Sequence, residues 1–213
     1  EIPIDIQSAK IPPSLLTAPL KRAPAVEPEP AMVDALWAQL KQAKRPLLWL
    51  GGGALESGEA VKTLADAGVT VISSTHGRGI LSDSHRASLR AFHNSPSVEA
   101  LISQCDFTLV AGSRLRSNET RSWTLALPTP RVQIDIAPAA ASRNYLMDNT
   151  LVADCRALLD ALAKRVQGRM WGDAHWDSQL KEAVEAAEQG LRDQCGAYAK
   201  LNDAIAQALP DDG

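Results

Sequence analysis

The sequence predicts an α/β fold: a doubly wound, Rossmann-like parallel sheet of about five or six strands with helices on both faces. Short apolar runs recur along the chain, glycines follow several of these runs, and a helical pattern separates most of them from the next. Strands separated by single helices run parallel through right-handed crossovers. A strand buried on both faces is continuously apolar, as these runs are.

Each element follows from its own pattern of apolar residues. An amphipathic helix is predicted over 31–43, and further helices after Ser57, over 97–104 and over 155–166. Ser57 is expected to cap its helix and Gly68 to end it. Strands are predicted at 47–50, 69–73, 107–111, 131–136 and 151–153.

Three regions are expected along the chain. Residues 1–30 are predicted to be the end of a preceding domain, because 1–6 alternate like a strand, followed by a linker with six prolines. Residues 31–168 form the central domain. Residues 169–213 are interpreted as a helical linker toward a missing C-terminal domain, and both flanks are expected to be loosely attached.

Composition narrows the function classes. The 213 residues carry a formal charge of −3, which leaves no basic surplus to neutralise a nucleic-acid backbone. No apolar stretch approaches a membrane span of about 20 residues, and no signal peptide is recognisable. Three widely spaced cysteines and four unpaired histidines favour buried thiols over a disulfide framework or a metal site. We therefore expect a cytoplasmic protein with neither nucleic acid nor membrane as a partner.

Several loop segments resemble one enzyme family. They are Glu1–Ile6, the strand with Gly51-Gly52-Gly53, Ser74–Gly79, Gly112–Leu115 and Gln133–Pro138. Most lie where a predicted strand ends, which is where open α/β sheets bind ligands or turn tightly. Their order and spacing resemble the central domain of thiamine-diphosphate-dependent enzymes of the acetolactate synthase and benzoylformate decarboxylase type.

The resemblance implies a structural domain of a larger decarboxylase or carboligase, hence a lyase or transferase. It places the activating glutamate before Glu1 and the magnesium and diphosphate motif after Gly213. No catalytic residue is therefore expected here. Thiamine diphosphate and magnesium are expected in the full-length parent and not on this chain alone. The implied partners are the missing N- and C-terminal cofactor-binding domains, in a homo-oligomeric parent.

The resemblance also implies a groove that holds FAD in flavin-binding relatives. Its expected residues here are Gly52, Gly53, Ser74, His93, Gly112, Ser113, Arg114, Asp135 and Ile136. Arg114 matches the family arginine, but Asn118 stands where a second arginine is expected, and Asn94 follows His93 in place of glycine. Losing one guanidinium removes a charge-assisted contact to a diphosphate. An empty groove is therefore preferred, and a module that binds FAD or ADP is the alternative.

Other features favour structural roles. Glu56 occupies the third position of the dinucleotide glycine fingerprint, so an NAD-dependent oxidoreductase ranks last, and Glu56 and Glu59 are expected to repel phosphate. Glu119 and its neighbouring arginines are interpreted as a solvated loop or an interface. Five tryptophans are expected in the core or at interfaces, Trp171 and Trp176 against absent domains. The others are Trp37, Trp49 and Trp123.

Overall fold

The computed structural model describes residues 3–15 and 24–209, and a five-stranded parallel sheet lies at its centre. The strands are β1 (Pro46–Leu50), β2 (Thr70–Ser73), β3 (Phe107–Ala111), β4 (Arg131–Asp135) and β5 (Asn149–Val152). They pair in the order β2-β1-β3-β4-β5, with every neighbouring pair parallel. The chain therefore reverses its direction of travel across the sheet between β1 and β3. The predicted doubly wound fold is confirmed.

The helices lie close to their predicted positions. They are α1 (Pro30–Leu40), α2 (Gly58–Asp66), α3 (Pro96–Ile102), α4 (Cys155–Ala163), α5 (Ala174–Cys195) and α6 (Ala197–Ala208). Gly68 ends α2 with a φ of 95°, as expected. The expected cap at Ser57 is wrong, because its side chain makes no capping hydrogen bond. None of these described helices is long and apolar enough to cross a membrane.

The side chains of a central strand pack alternately in two separate apolar layers. Leu48 and Leu50 of β1 pack in the layer that contains α1, α2 and α4. Leu47 and Trp49 of the same strand pack in the opposite layer, with α3 and α5. Successive side chains of a strand point to opposite faces, so both faces of β1 are buried. This explains why the central strands are continuously apolar in the sequence.

Helix α5 belongs to the core of the domain. Five of its residues are buried against the sheet layer at helical spacing: Trp176, Leu180, Ala183, Val184 and Ala187. The Trp176 Nε1 donates to Thr70 Oγ1 over 3.0 Å, and the Arg45 guanidinium lies 4.4 Å from the centre of the indole. The N-terminal half of this helix is therefore packed on the sheet and is not loosely attached.

Trp171 packs on the other side of the sheet. Its amide donates to the Ala67 carbonyl over 2.7 Å, and its ring meets Trp37 edge-on at 6.0 Å between centroids. The expectation that Trp171 and Trp176 pack against absent domains is wrong, because both side chains are buried in the layers of this chain. Trp49 is buried as predicted, whereas Trp123 is half exposed.

The segment before α1 differs from its prediction. Residues 4–8 form turns, and Ile6 donates its amide to Pro3 locally, so the strand expected over 1–6 is wrong for the described residues. The five-stranded sheet of the described residues includes no strand from this segment. Residues 1–2 and 16–23 of the predicted linker lie outside the described part. Just before α1, the Val26 carbonyl accepts from the Asp154 amide over 2.8 Å.

We predict that Leu180→Ala lowers the free energy of unfolding by about 2–5 kcal/mol, because it removes a buried side chain from the α5 contact. Leu191→Ala is the matched control on the same helix. Leu191 is half exposed, so its truncation should change stability by less than about 0.5 kcal/mol. Urea denaturation measures both. Equal midpoints for the two variants would show that α5 does not cover the sheet.

Candidate functional site

A cleft of about 330 Å³ lies at the carboxyl ends of the strands. The loops after β1, β2, β3, β4 and β5 all contribute to its lining, which places it at the point where the strand order reverses. Ligands of open α/β sheets bind at this position. Its volume is at the lower end of the range of about 300–1,000 Å³ that is typical of small-molecule pockets.

Most of the groove residues predicted from sequence line this cleft. His93 does not, although the family resemblance placed it there. The residues that do are Gly52, Gly53, Ser74, Gly112, Ser113, Arg114, Asp135 and Ile136. Further lining residues that the sequence did not indicate as ligand-facing are His76, Arg116, Glu119, Ala153, Asp154 and Cys155.

The glycines of the cleft let two strand-end loops touch. The Gly51 amide donates to Ala111 O over 2.9 Å, and the Gly53 amide donates to Gly112 O over 3.0 Å. A methyl group on Gly51 would lie 2.2 Å from the Gly112 carbonyl oxygen. The amides of Gly51 and Gly53 are therefore used within the fold, and a short 3-10 helix, Gly52–Ser57, separates the loop from the amino end of α2.

Glu119 is a buried carboxylate in the wall of the cleft. Only 2% of it is exposed, and its Oε1 accepts a hydrogen bond from the Thr75 amide over 3.0 Å. Of the two settings expected for this charge cluster, the solvated loop is wrong for Glu119, because its side chain is buried. A buried charge needs a hydrogen-bond partner, and the amide after β2 supplies one. No local pattern in the sequence marks a glutamate that is buried by contact with another loop.

Two guanidinium groups stand at the cleft without partners. Arg114 and Arg116 are exposed and both line it, and within the described residues neither side chain forms an ion pair or a hydrogen bond. Arg116 therefore supplies a second arginine, although two residues after Arg114 rather than four. The two side chains make this edge the part of the cleft best suited to an anion.

Other polar groups of the cleft stabilise backbone turns. Asp135 accepts from the Ala137 amide over 2.8 Å, and Asp154 accepts from the first amides of α4. Burial raises the pKa of the Cys155 thiol to about 12, with Asp135 and Asp154 adding to the shift. A thiol with this pKa is protonated at neutral pH and is a poor nucleophile.

The carboxylates expected to repel phosphate lie elsewhere. Neither Glu56 nor Glu59 lines the cleft, and Glu56 lies 3.7 Å from the Arg156 guanidinium. The expected repulsion by these two residues is wrong, because the glycine loop continues into the 3-10 helix and carries both of them away from the strand ends. The acidic residues that line the cleft are Glu119, Asp135 and Asp154.

His93 lies in the core beside the cleft. It is buried, and its ring lies 5.9 Å from the ring of Trp49 between centroids. Among the described residues its Nδ1 has no hydrogen-bond partner. Burial lowers the pKa of His93 below its ordinary value of 6.5, and the Asn94 hydrogen bond and the Glu119 charge oppose this only in part. His93 therefore packs as a neutral ring.

We predict that Gly112→Ala is more destabilising than Gly79→Ala. Both glycines have positive φ, so each alanine costs about 1–2 kcal/mol for its left-handed backbone. At Gly112 the new methyl would also lie 2.5 Å from the Gly53 Cα, whereas nothing lies within 4 Å at Gly79. The overlap should cost a further 1–3 kcal/mol or so in unfolding experiments. Equal losses would contradict the close approach of the two loops.

We predict that His93 contributes to acid sensitivity. Its folded-state pKa is lowered, so the unfolded chain takes up the proton first as the pH falls below 6.5. The stability linked to neutral His93 is present above that pH and is lost below it. His93→Gln should flatten the dependence of the unfolding free energy on pH below 6.5. An unchanged slope in this variant would show that His93 protonates equally in both states.

Comparison with known proteins identifies the family of this domain. Residues 33–162 match the family model for the central domain of thiamine pyrophosphate enzymes. An acetolactate synthase of Mycobacterium leprae is 28% identical over 143 residues, which is 64% of this chain and 23% of that protein. A probable 2-ketoarginine decarboxylase of Pseudomonas aeruginosa is 27% identical over 216 residues, 99% of this chain and 38% of that protein.

Two further similarities extend the comparison. A pyruvate oxidase of Lactiplantibacillus plantarum is 29% identical over 99% of this chain and 37% of that protein. The solved structure of a proposed thiamin diphosphate-dependent enzyme from Mycobacterium smegmatis shares the fold, with a TM-score of 0.55 and 21% identity over 69% of this chain and 30% of that chain. This chain spans less than two fifths of the length of these relatives. It belongs to the central-domain family of thiamine pyrophosphate enzymes.

Proposed function

We propose that the chain is the central, structural domain of a thiamine-diphosphate-dependent enzyme that decarboxylates or ligates 2-oxo acids. One observation carries this proposal. In the cleft at the switch point, the amides of Gly51 and Gly53 and the carboxylate of Glu119 hold strand-end loops together, and the Asp135 carboxylate accepts from the Ala137 amide within its own loop. A site with its polar groups used in this way supports a structural role.

The cofactors of the parent are assigned to other domains in this proposal. The parent holds thiamine diphosphate, and we propose magnesium as its metal. Within residues 3–15 and 24–209 no three His, Cys, Asp or Glu side chains cluster closely enough to hold a metal ion. These residues do not fit a magnesium diphosphate site, which needs several oxygen ligands. We derive no step of the reaction from them.

We also propose domain limits and a cellular location for the parent. Residues 1–30 connect to a preceding catalytic domain, and residues 169–213 lead to a following one. The first half of α5 also covers the sheet, so it both completes this domain and begins the connection. The parent is proposed to be cytoplasmic and homo-oligomeric, without nucleic acid or membrane as a partner.

FAD or ADP is the alternative ligand of the cleft. Arg114 and Arg116 are the residues that would contact a diphosphate, and Glu119, Asp135 and Asp154 bring three carboxylates into the same lining. Negative charge beside the arginines weakens their attraction for an anionic ligand. We therefore expect purified protein to be colourless, with at most solvent or a small anion near Arg114.

The test compares two polypeptides, this chain and the parent that includes both flanking domains. Calorimetry with thiamine diphosphate and magnesium should show no binding to the 213-residue chain and clear binding to the parent. The parent should consume 2-oxo acids such as pyruvate or benzoylformate only when thiamine diphosphate is present.

Two results would contradict the proposal. One is micromolar, magnesium-dependent binding of thiamine diphosphate by this chain alone. The other is a yellow preparation with a flavin absorbance band that disappears in Arg114→Ala. The latter would assign the cleft to flavin.

A further inference from the structure

Helix α6 has no buried residue, unlike the other described α-helices. Three large apolar side chains lie along it, Tyr198, Leu201 and Ile205, and a fourth, Leu209, is its C-cap residue. They are spaced by three and four residues and are exposed by 77%, 56%, 50% and 56%. This spacing places them on one side of a helix. We call these four residues the α6 row.

The position of α6 against α5 is fixed by specific contacts. Gly196 separates the two helices with a φ of 52°, and its amide donates to the Arg192 carbonyl over 3.0 Å. The Arg192 guanidinium forms two hydrogen bonds with Asp203 of α6, at 2.8 and 2.9 Å. A two-point contact of this kind fixes orientation as well as distance. The α6 row therefore has a defined place in the molecule.

The apolar surface extends from α6 onto the body of the domain. A groove of about 370 Å³ lies between the two helices, and Phe92, Leu191, Cys195 and Tyr198 are among the residues that line it. Leu191 is half exposed in this groove. Polar side chains also line this groove: Glu188, Arg192, Asn202 and Asp203. Exposed apolar side chains with polar residues beside them mark an interaction site in soluble proteins.

Helix α6 needs a partner to be stable. It has 12 residues, and isolated helices shorter than about 12–15 residues are marginal in water. Tertiary packing of an apolar face normally supplies the missing stability. The contacts with α5 cover the side that carries Asp203 and leave the α6 row exposed.

We propose that the α6 row and the adjoining groove are the docking surface for the domain that follows this one in the same polypeptide. This inference rests on the proposed function. The probable 2-ketoarginine decarboxylase aligns with 99% of this chain, α6 included, and this chain spans 38% of it. The docking partner is an apolar surface of the remaining polypeptide.

Size favours a covalently attached partner over a second copy of the chain. A stable interface between separate proteins uses roughly 20–30 residues on each side, more than a 12-residue helix and its groove offer. A domain joined through a short connection is present at an effective concentration in the millimolar range. It therefore avoids most of the entropy cost that a free partner pays.

Amide hydrogen exchange tests the proposal on two polypeptides, this chain and the parent that continues past Gly213. We expect the amides of α6 to exchange about tenfold more slowly, or slower still, in the parent. Ile205→Asn in the parent should remove this protection. Gln207→Asn is the matched control, because it places the same side chain on the opposite side of α6 without adding a charge beside Asp203, and it should leave the protection intact.

Three outcomes would overturn the proposal: equal exchange of α6 in the two polypeptides, equal effects of the two substitutions, or protection of α6 in this chain together with a dimeric mass by light scattering. The third outcome would assign the surface to a second copy. Binding of thiamine diphosphate by the same parent sample separates the two proposals. Protection without cofactor binding would contradict only the proposed function, and binding without protection would contradict only the docking surface.

Discussion

Burial of the parallel sheet on both faces is the constraint on which the rest of this structure depends. β1 contributes Leu48 and Leu50 to one layer and Leu47 and Trp49 to the other, so neither face can be left open to water. Fully burying one such side chain is worth about 1.5–3 kcal/mol. Helices α1, α2 and α4 cover one face, while α3 and the first half of α5 cover the other. The domain is therefore complete only with a helix that follows the family's central region in the sequence.

The same packing determines the character of the cleft. Strands that are close enough for parallel pairing bring their end loops into contact, and at β1 and β3 this contact requires glycine on both sides. Backbone amides and carboxylates near the strand ends then form hydrogen bonds within and between these loops. These hydrogen bonds therefore lie at the position that binds ligands in many α/β folds, and two arginines line the same cleft.

The sequence predicted the strands well because double burial makes them continuously apolar, a strong local signal. It predicted most of the cleft because residues at the ends of parallel strands converge. It did not reveal the buried position of Glu119, which depends on the Thr75 amide 44 residues away. His93 was predicted to line the cleft, but its ring packs on Trp49 instead. A histidine in a loop has no periodic sequence pattern that would indicate such packing. Helical structure was predicted within 169–213, but a helical pattern does not identify the surface that the helix covers.

The central claim is that α5 and the sheet form one cooperative unit, and native-state hydrogen exchange in low denaturant tests it most directly. The amides of Leu180 and Val184 in α5 should open with the same free energy as those of Leu48 and Trp49 in β1, because exposing either element requires global unfolding. A distinctly lower opening free energy for α5, with β1 still protected, would show that the helix is an attached linker and would contradict the account.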